Sequence, residues 1–583
     1  MSWLFGICGE YFPTDVDFFK SIHSVPLHLI QSQKIYIAAG GLKETCLCGS
    51  FPATPGQQKV GWLVCGLGIQ QRDGRFSLMS QTDWETALAD NAFSSQQLNG
   101  HFAVLKWNGA QVSCFTDQLG IRNLYLTQTE RFTAFSTRLD WIARLQPNCE
   151  IDWNQLGGRW LLINQLSTES ILTHTVRLAQ GGSAVCTPQS ISFKNQPWEQ
   201  NFASNAAKED IASTLSNLTG PPFQTGKTVS LALSGGLDSR LLLSILLSSN
   251  HKNWCLHSFG NPGHPDVQVP LRIAADLGIQ HTFIETALFE PHTYPNLLRD
   301  YIGQTMLAAP VSGIIRLHFY ATLHRQNKIV IDGAKGEIAR RRFLNRLLIT
   351  KRKALLAGGA EDIYPHLKAH RSSIFNRDMV KVMKDGAYQQ IERLWNNMPS
   401  IREIGMGNWL DLMTIRTRYP NLSAEQGCGD ELFVSYMPYA QPAFVRQALN
   451  LPLTKRKNGR LFRRILRSNC PQLTHFPLVE GGTLYPYPFT TIPASLWTKM
   501  KQRLGYTFRD NTSQNFLDNL EEFIQDTVHS SEIKLVEFYN YPAILKMVSE
   551  YYQGNKRYTS ELDWWLAFEI WRQTIFKKDF RRM

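Results

Sequence analysis

Within ten residues the chain passes from an apolar strand into two glycines, two serines and a carboxylate: Leu231-Ala232-Leu233-Ser234-Gly235-Gly236-Leu237-Asp238-Ser239-Arg240. Those residue types in that order suit phosphate. Glycines let backbone N–H groups close around phosphate oxygens with no Cβ in the way. The helix that opens with Leu241-Leu242-Leu243 directs its N-terminal amides and positive dipole end at the same anion. Ser234 and Ser239 add hydroxyl donors. Asp238 has the wrong sign to touch a phosphate, so its expected role is to hold a Mg²⁺ ion that bridges the phosphates. The loop is not of Walker type, since no Gly-Lys-Ser/Thr ending follows. The plain alternative is a glycine turn between a core strand and a helix, but the strand–loop–helix context that a phosphate motif needs is present.

Further segments accompany the loop. Ser258-Phe259-Gly260 ends a second apolar strand, with Asp266 and Asp276-Leu277-Gly278-Ile279-Gln280-His281 downstream, and Val330-Ile331-Asp332-Gly333-Ala334-Lys335-Gly336-Glu337 ends a third. The Ser-Gly-Gly-x-Asp-Ser loop resembles that of the ATP pyrophosphatases, which cut ATP between the α- and β-phosphates. The order of elements along nearly the whole chain resembles the asparagine synthetase (asparagine synthase B-like) family, in which a class II glutamine-amidotransferase-like domain precedes an ATP-pyrophosphatase (PP-loop) domain. In the first half, Leu98-Asn99-Gly100-His101-Phe102-Ala103 and the run from Asp117 to Tyr125 carry the likeness. The resemblance implies ATP and Mg²⁺ as cofactors. It implies nucleotide contacts from Leu233, Ser234, Gly235, Gly236, Asp238, Ser239, Ser258, Phe259, Asp332 and Gly333. It implies metal carboxylates at Asp238 and Glu337, with Asp332 the less favoured alternative to Glu337. Asp238, Glu337 and Lys335 are the catalytic candidates, Lys335 being equally readable as a surface-loop lysine.

The departures from the family pattern bear on function. Members that hydrolyse glutamine start Met-Cys-Gly-Ile-Phe-Gly and use the processed cysteine as nucleophile, whereas this chain starts Met1-Ser2-Trp3-Leu4-Phe5-Gly6. A serine hydroxyl is a much weaker nucleophile than a thiolate at neutral pH, and Cys8 lies too deep to replace it. Before residue 98 the only arginines are Arg72 and Arg75 and the only asparagine is Asn91, so the family's substrate clamp has no counterpart. In the second half, Val434 to Gln441 lacks three charged residues of the family's acceptor pocket, and Phe476 to Gly482 offers no match for its late catalytic lysine. The resemblance implies an AMP-forming carbon–nitrogen ligase. A substrate carboxylate, small or peptidic, becomes an acyl-adenylate, and ammonia or a substrate amine displaces AMP. A peptide or small-molecule cyclase of the lasso-peptide or β-lactam synthetase kind is the alternative, and a non-catalytic nucleotide-binding regulator is another.

The elements that must position these residues divide the chain. Up to about residue 195 short strands of alternating polarity dominate, such as Phe102 to Trp107 and Gln111 to Phe115, joined across Asn108-Gly109-Ala110. The pattern predicts a helix from Gln81 to Ala89 and a hairpin across Leu178 to Cys186, turning at Gly181-Gly182. A polar linker is expected around Glu199 to Ser204. Beyond it, apolar strands at Thr228 to Leu233, Trp254 to Phe259 and Lys328 to Ile331 alternate with helical patterns and predict a parallel α/β sheet. The fold class is therefore α/β and α+β. An Ntn-type, β-sandwich-like domain over 1–195 is followed by a PP-loop parallel α/β domain with helical additions over 205–583. Among those additions are a helix from Leu461 to Ser468 and the aromatic run Asp563 to Trp571, read as core.

Composition limits the remaining classes. Of 583 residues 43% are hydrophobic and 19% charged, too apolar and too weakly charged for a disordered polymer. No stretch approaches the roughly eighteen apolar residues of a membrane span. The start lacks a basic segment and reaches Glu10 and Asp15 early, so a signal peptide is not expected and a cytoplasmic location is. Ten cysteines without zinc-site spacing read as reduced thiols. The net charge of +13 suits an anionic partner, yet a solvated basic surface is the favoured reading, with no nucleic-acid and no membrane partner expected. The runs Arg340-Arg341-Arg342, Lys351-Arg352-Lys353 and Lys455-Arg456-Lys457 are read the same way, the first with a secondary claim on an anionic substrate.

Overall fold

The computed structural model describes residues 2–576 except 23–25, 52–59, 91, 110, 147, 164, 203–209, 342–343, 370 and 422. In chain order the first thirteen strands are β1 Trp3–Gly9, β2 His28–Gln31, β3 Ile35–Gly40, β4 Cys46–Ser50, β5 Val60–Arg72, β6 Arg75–Leu78, β7 Asn99–Asn108, β8 Gln111–Thr116, β9 Leu124–Gln128, β10 Phe132–Ser136, β11 Thr175–Leu178, β12 Ser183–Thr187 and β13 Ser190–Lys194. They build two antiparallel sheets, ordered β11-β9-β10-β1-β3-β2 and β13-β12-β8-β7-β5-β4, with β6 paired to β5. Inward residues of both sheets share one core, in which Leu4 and Cys8 of β1 meet Leu63 and Cys65 of β5 and Cys114 of β8. All ten cysteines are free thiols.

The predicted hairpin between β7 and β8 forms, with Asn108 opposite Gln111 and Gly109 at φ +61° in the turn; Ala110 lies outside the described residues. The helix Gln81–Ala89 also forms. Ser80 and Asp83 close a capping box at its start, which satisfies two otherwise orphaned amides.

Leu178 to Cys186 is not a hairpin. β11 pairs with β9 in the first sheet, whereas β12 pairs with β8 and β13 in the second. The two glycines turn the chain from one layer to the other because the corner bonds to β8 and its exit. Gly181 N–H donates to Asp117 O at 2.8 Å and Thr116 N–H donates to Gly182 O at 3.0 Å. The hairpin here is β12–β13, closed at Thr187 and Ser190. Of the expected linker, Ala203 and Ser204 lie outside the described residues.

The later strands are β14 Val229–Ala232, β15 Trp254–Gly260, β16 His281–Glu285, β17 Ile329–Ile331 and β18 Ser435–Tyr436, each within two residues of its prediction where one exists. They form a parallel sheet in the order β16-β15-β14-β17-β18. Helix α1 (Leu237–Ser248) joins β14 to β15, and α2 (Pro265–Leu277) joins β15 to β16. The chain thus builds outward from β14 through β15 to β16, then returns to the other side of β14 with β17. A crevice forms outside the strand ends at such a reversal.

Helices make up most of the remainder. The expected helix near Leu461 spans Arg460–Asn469, and the aromatic run lies in α3 (Thr559–Phe576). Trp565, Phe568 and Trp571 of α3 are fully buried, as expected of core, while Trp564 lies 3.9 Å from the Arg371 guanidinium. The sandwich and the parallel sheet are tied by buried polar bonds. Gln441, wholly enclosed, accepts from Gly100 N–H at 2.8 Å and bonds to His101, and Arg122 pairs with Asp430.

Candidate functional site

β14 ends at Ala232, and the chain turns through Leu233 to Gly236 into α1. The loop's shape is fixed by its neighbours. Ser234 N–H donates to Ser239 Oγ at 3.1 Å, Gly236 N–H to Ser234 Oγ at 3.2 Å, and Gly235 N–H to Asp266 Oδ1 at 2.9 Å. No side chain caps α1. Its first amides, at Leu237, Asp238 and Ser239, lack intrahelical partners as at any helix start, and these three residues face a cavity of about 840 Å³.

All the residues predicted to bind nucleotide or metal line this cavity except Gly235, which is in the loop itself. Ser258 and Phe259 come from the end of β15, and Asp332 and Gly333 from the end of β17. Phe259, 45% exposed, stacks on Phe319 with ring centroids 4.7 Å apart, so an aromatic face is presented inside the cavity. Burial raises the Asp332 carboxyl above its usual range, opposed by the Ala334 N–H that donates to it at 2.9 Å.

Asp238 and Glu337 face the cavity from opposite sides of the sheet reversal. The Asp238 side chain lies over Gly336, where a Cβ would come within 2.5 Å of its carboxyl carbon, so a larger residue at 336 would have to displace that carboxyl. Arg340 pairs with Asp238, and Arg418 pairs with Glu337 at 2.9 Å. Tyr439 Oη donates to the Asp238 carbonyl at 2.9 Å. The segment Val434 to Gln441 therefore supports the loop from beneath.

Lys335 is partly exposed and is not among the residues that line the cavity. Its backbone is left-handed at φ +72°, and its ammonium sits 5.7 Å from the Tyr419 ring. Burial lowers its pKa to about 8, with Glu337 and Asp332 opposing the shift and Arg418 adding to it. The cations that line the cavity are Arg316 and Arg340. Of the basic runs, Lys351, Arg352, Lys353, Lys455 and Lys457 are solvated as expected. Arg341 and Arg456 are instead buried against Asp411, at 3.5 and 2.5 Å, Arg341 turning inward just past the end of the helix Glu337–Arg340 at φ +50°. Arg342 lies outside the described residues.

Three positioning residues have only faint sequence signals. Arg240, fully buried, donates to the carbonyls of Leu473, Phe476, Pro477 and Gly235, the last at 3.2 Å. It fastens a strap, Leu473 to Pro477, to the loop. The strap continues into the hairpin Leu478–Glu480 and Thr483–Tyr485, whose turn residues Gly481 and Gly482 both have positive φ. The sequence hint of Arg240 is a single cation in a mostly apolar helix whose other charge is Asp238. Asp563 of α3 accepts from both the amide (2.9 Å) and the hydroxyl (2.5 Å) of Ser312 and so holds one wall of the cavity. Asn261 donates to Asp510 at 3.0 Å and to Thr512 at 3.1 Å, which closes the far wall.

No protein-family model matches the chain, and no curated protein does. Among solved structures it is similar to glutamine phosphoribosylpyrophosphate amidotransferase from B. subtilis complexed with ADP and GMP, at 9% identity and TM-score 0.22 over 48% of this chain and 65% of that one. It is similar to the allosteric regulatory enzyme of purine biosynthesis at 9% identity and TM-score 0.22, over 40% and 60% of the two chains. The U34-tRNA thiolase NcsA from Methanococcus maripaludis, with its [4Fe-4S] cluster, follows at 13% identity and TM-score 0.16 over 35% and 86%. The chain spans less than two thirds of the length of the first two. Likeness at this level carries no argument, and the chemistry of the cavity rests on its own residues.

At the other end of the chain Ser2 is enclosed. Its hydroxyl donates to Leu42 O at 3.2 Å and shares a hydrogen bond with Thr45 Oγ1 at 2.9 Å. The space beside it, lined in part by Arg122, Arg138 and Glu431, is about 30 Å³, room for about one water molecule and not for a glutamine side chain. Purified protein incubated with glutamine is expected to release no glutamate. Turnover that vanished in Ser2→Ala would overturn this.

Proposed function

We propose that the protein is an ATP-dependent carbon–nitrogen ligase of the asparagine synthetase type. A substrate carboxylate attacks the α-phosphate of ATP, pyrophosphate leaves, and an amine, either ammonia or an amino group of the substrate, displaces AMP from the acyl-adenylate. The observation that carries this reading is the Ser234–Ser239 loop. It lies between the central strand β14 and the uncapped start of α1, beside the sheet reversal, and opens on a cavity that also receives Asp238, Asp332 and Glu337.

Each wall has a task in such a reaction. The α1 amides and the side chains of Arg316 and Arg340 set positive charge against the departing pyrophosphate, where fixed donors lower the barrier most. Phe259, stacked on Phe319, offers a face for the base, and the end of β15 borders it. The Val479–Tyr485 hairpin and the Asp510–Ser513 segment enclose the opposite side and limit water around a reactive ester. Asp238 and Glu337 are the residues that would hold Mg²⁺, which when bound neutralises phosphate oxygens. The donor set fits, because Mg²⁺ takes one or two carboxylates and fills its remaining positions with phosphate oxygens and water. No group of three or more His, Cys, Asp or Glu suited to an all-protein metal cage exists among the described residues.

Product analysis tests the reading. Incubated with Mg-ATP and candidate carboxylates, the protein is expected to form AMP and pyrophosphate and to catalyse exchange of labelled pyrophosphate into ATP. ADP as the main product would overturn both the loop assignment and the adenylation.

A further inference from the structure

Positive charge is unevenly spread along the chain. From Leu432 to Arg509 there are twelve Lys and Arg against a single acid, Glu480, a net +11 of the chain's +13. Folding gathers part of this charge into one groove. In the helix Arg460–Asn469, Leu461, Phe462, Ile465 and Leu466 are buried, and Arg460, Arg463, Arg464 and Arg467, at i, i+3, i+4 and i+7, share the opposite face. They line a groove of about 530 Å³ completed by Ser468, Pro488 and Thr490. Arg463 is locked in place by the carbonyls of Tyr487 and Phe489, the latter at 2.8 Å. Among the described residues none of the four forms an ion pair with a carboxylate.

Thr490 also begins the thirteen-residue helix Thr491–Arg503, where its side chain makes no capping bond. The positive end of that helix therefore meets the rim of the arginine groove. From the same rim the helix carries an apolar ridge. Ile492, Leu496, Met500 and Leu504, four residues apart, are 63%, 64%, 44% and 61% exposed, and Tyr506 beyond them is 69% exposed. Ala494 and Thr498 anchor the helix by burial. Lys499 and Arg503 stand among the ridge residues, and no acid does.

Two independent features thus adjoin, a groove that attracts anions and a convex apolar ridge. An amphipathic peptide seats its apolar side chains in a concave groove, which a convex ridge does not provide. Apolar side chains standing out beside arginines and lysines suit the boundary between headgroups and acyl chains of an anionic bilayer. We propose that this surface docks the protein on an anionic phospholipid membrane, with headgroup phosphates in the arginine groove and the ridge in the acyl boundary. No described helix is long and apolar enough to cross a membrane, and a surface contact needs none. Arg463 and Thr490 also border a narrow cleft shared with Leu237, Arg340 and Tyr485 of the large cavity. Docking would therefore hold that cavity near the lipid surface, although the proposal does not depend on what the cavity binds.

The test is co-flotation of the full chain with vesicles. At low salt it is expected to float with phosphatidylcholine vesicles containing about one third phosphatidylglycerol and to stay behind with phosphatidylcholine alone. Arg464→Glu/Arg467→Glu and, separately, Leu496→Ser/Met500→Ser are expected to lower the bound fraction about tenfold or more at an unchanged melting temperature. Failure to float with anionic vesicles, or flotation indifferent to both pairs of substitutions, overturns the proposal. So does protection by inorganic phosphate through Arg464 and Arg467 without vesicle binding, which would make the groove a site for a free anion. A chain that fails to float and forms a dimer in solution that Leu496→Ser/Met500→Ser disperses would make the ridge a contact between copies, and this too overturns it.

Discussion

Asp238→Asn is expected to remove most Mg-dependent pyrophosphate release, by about a hundredfold to a thousandfold, while the protein stays folded. The substitution keeps shape and removes charge. The side-chain amide it introduces can still accept a hydrogen bond from Arg340, and the backbone carbonyl at this position keeps its bond from Tyr439, so the loop and the start of α1 retain their supports. What is lost is a carboxylate facing the cavity, and a neutral amide is a poor partner for a divalent ion. Removing one preorganised donor from an oxyanion hole costs about 2.7–4 kcal/mol of barrier, and the same scale, carried over to one metal-holding carboxylate, sets the expected range. ATP affinity measured without Mg²⁺ should change far less, because the anion still meets the loop, the α1 amides, Arg316 and Arg340. Full pyrophosphate release by Asp238→Asn would show that Asp238 serves only to hold Arg340.

Local patterns were readable where the physics that decides them is local. The β14–loop–α1 unit, the strands β15 and β17, the Gln81–Ala89 helix and the β7–β8 turn each follow from hydrophobic period, capping residues and turn glycines within about ten residues. Where the chain goes after a turn is not local. Gly181-Gly182 supplies turn residues for a hairpin, but Thr116 and Asp117, more than sixty positions earlier in sequence, draw the corner between layers. Charge runs show the same limit. Lys455 and Lys457 are solvated while Arg456 between them is enclosed by Asp411, and Arg340 reaches Asp238 across the sheet reversal, pairings that no run of like charges announces. Arg240 shows most clearly why the candidate site was only partly legible. Its neighbours Ser234, Asp238 and Ser239 carry chemistry in their own side chains, whereas Arg240 acts by collecting four backbone carbonyls, and a carbonyl leaves no mark in an amino-acid sequence.

That strap gives the second large effect. Gly235→Val is expected to depress AMP formation by at least about a hundredfold. The reason is space rather than backbone freedom, since Gly235 is not among the residues with positive φ. A Cβ added there would stand 2.1 Å from Val479 Cγ2 and 2.8 Å from Val479 Cβ, and no core relaxes around contacts that short without moving the partner. Val479 cannot leave alone, because its N–H donates to the Gly235 carbonyl at 3.1 Å and Arg240 grips the same carbonyl. The clash is therefore carried to the loop, whose N–H at Gly235 is held in turn by Asp266. A steric cause predicts rescue. In a Gly235→Ala background, Val479→Gly removes both offending carbons and is expected to restore most of the AMP formation that Gly235→Ala alone loses, at a cost of about 2–4 kcal/mol in stability from the lost valine burial and the strand glycine together. Wild-type rates in Gly235→Val would mean the loop does not have to lie against the hairpin for turnover. Loss in Gly235→Ala that Val479→Gly leaves untouched would mean that the close approach at Gly235 serves a bound phosphate instead of the strap.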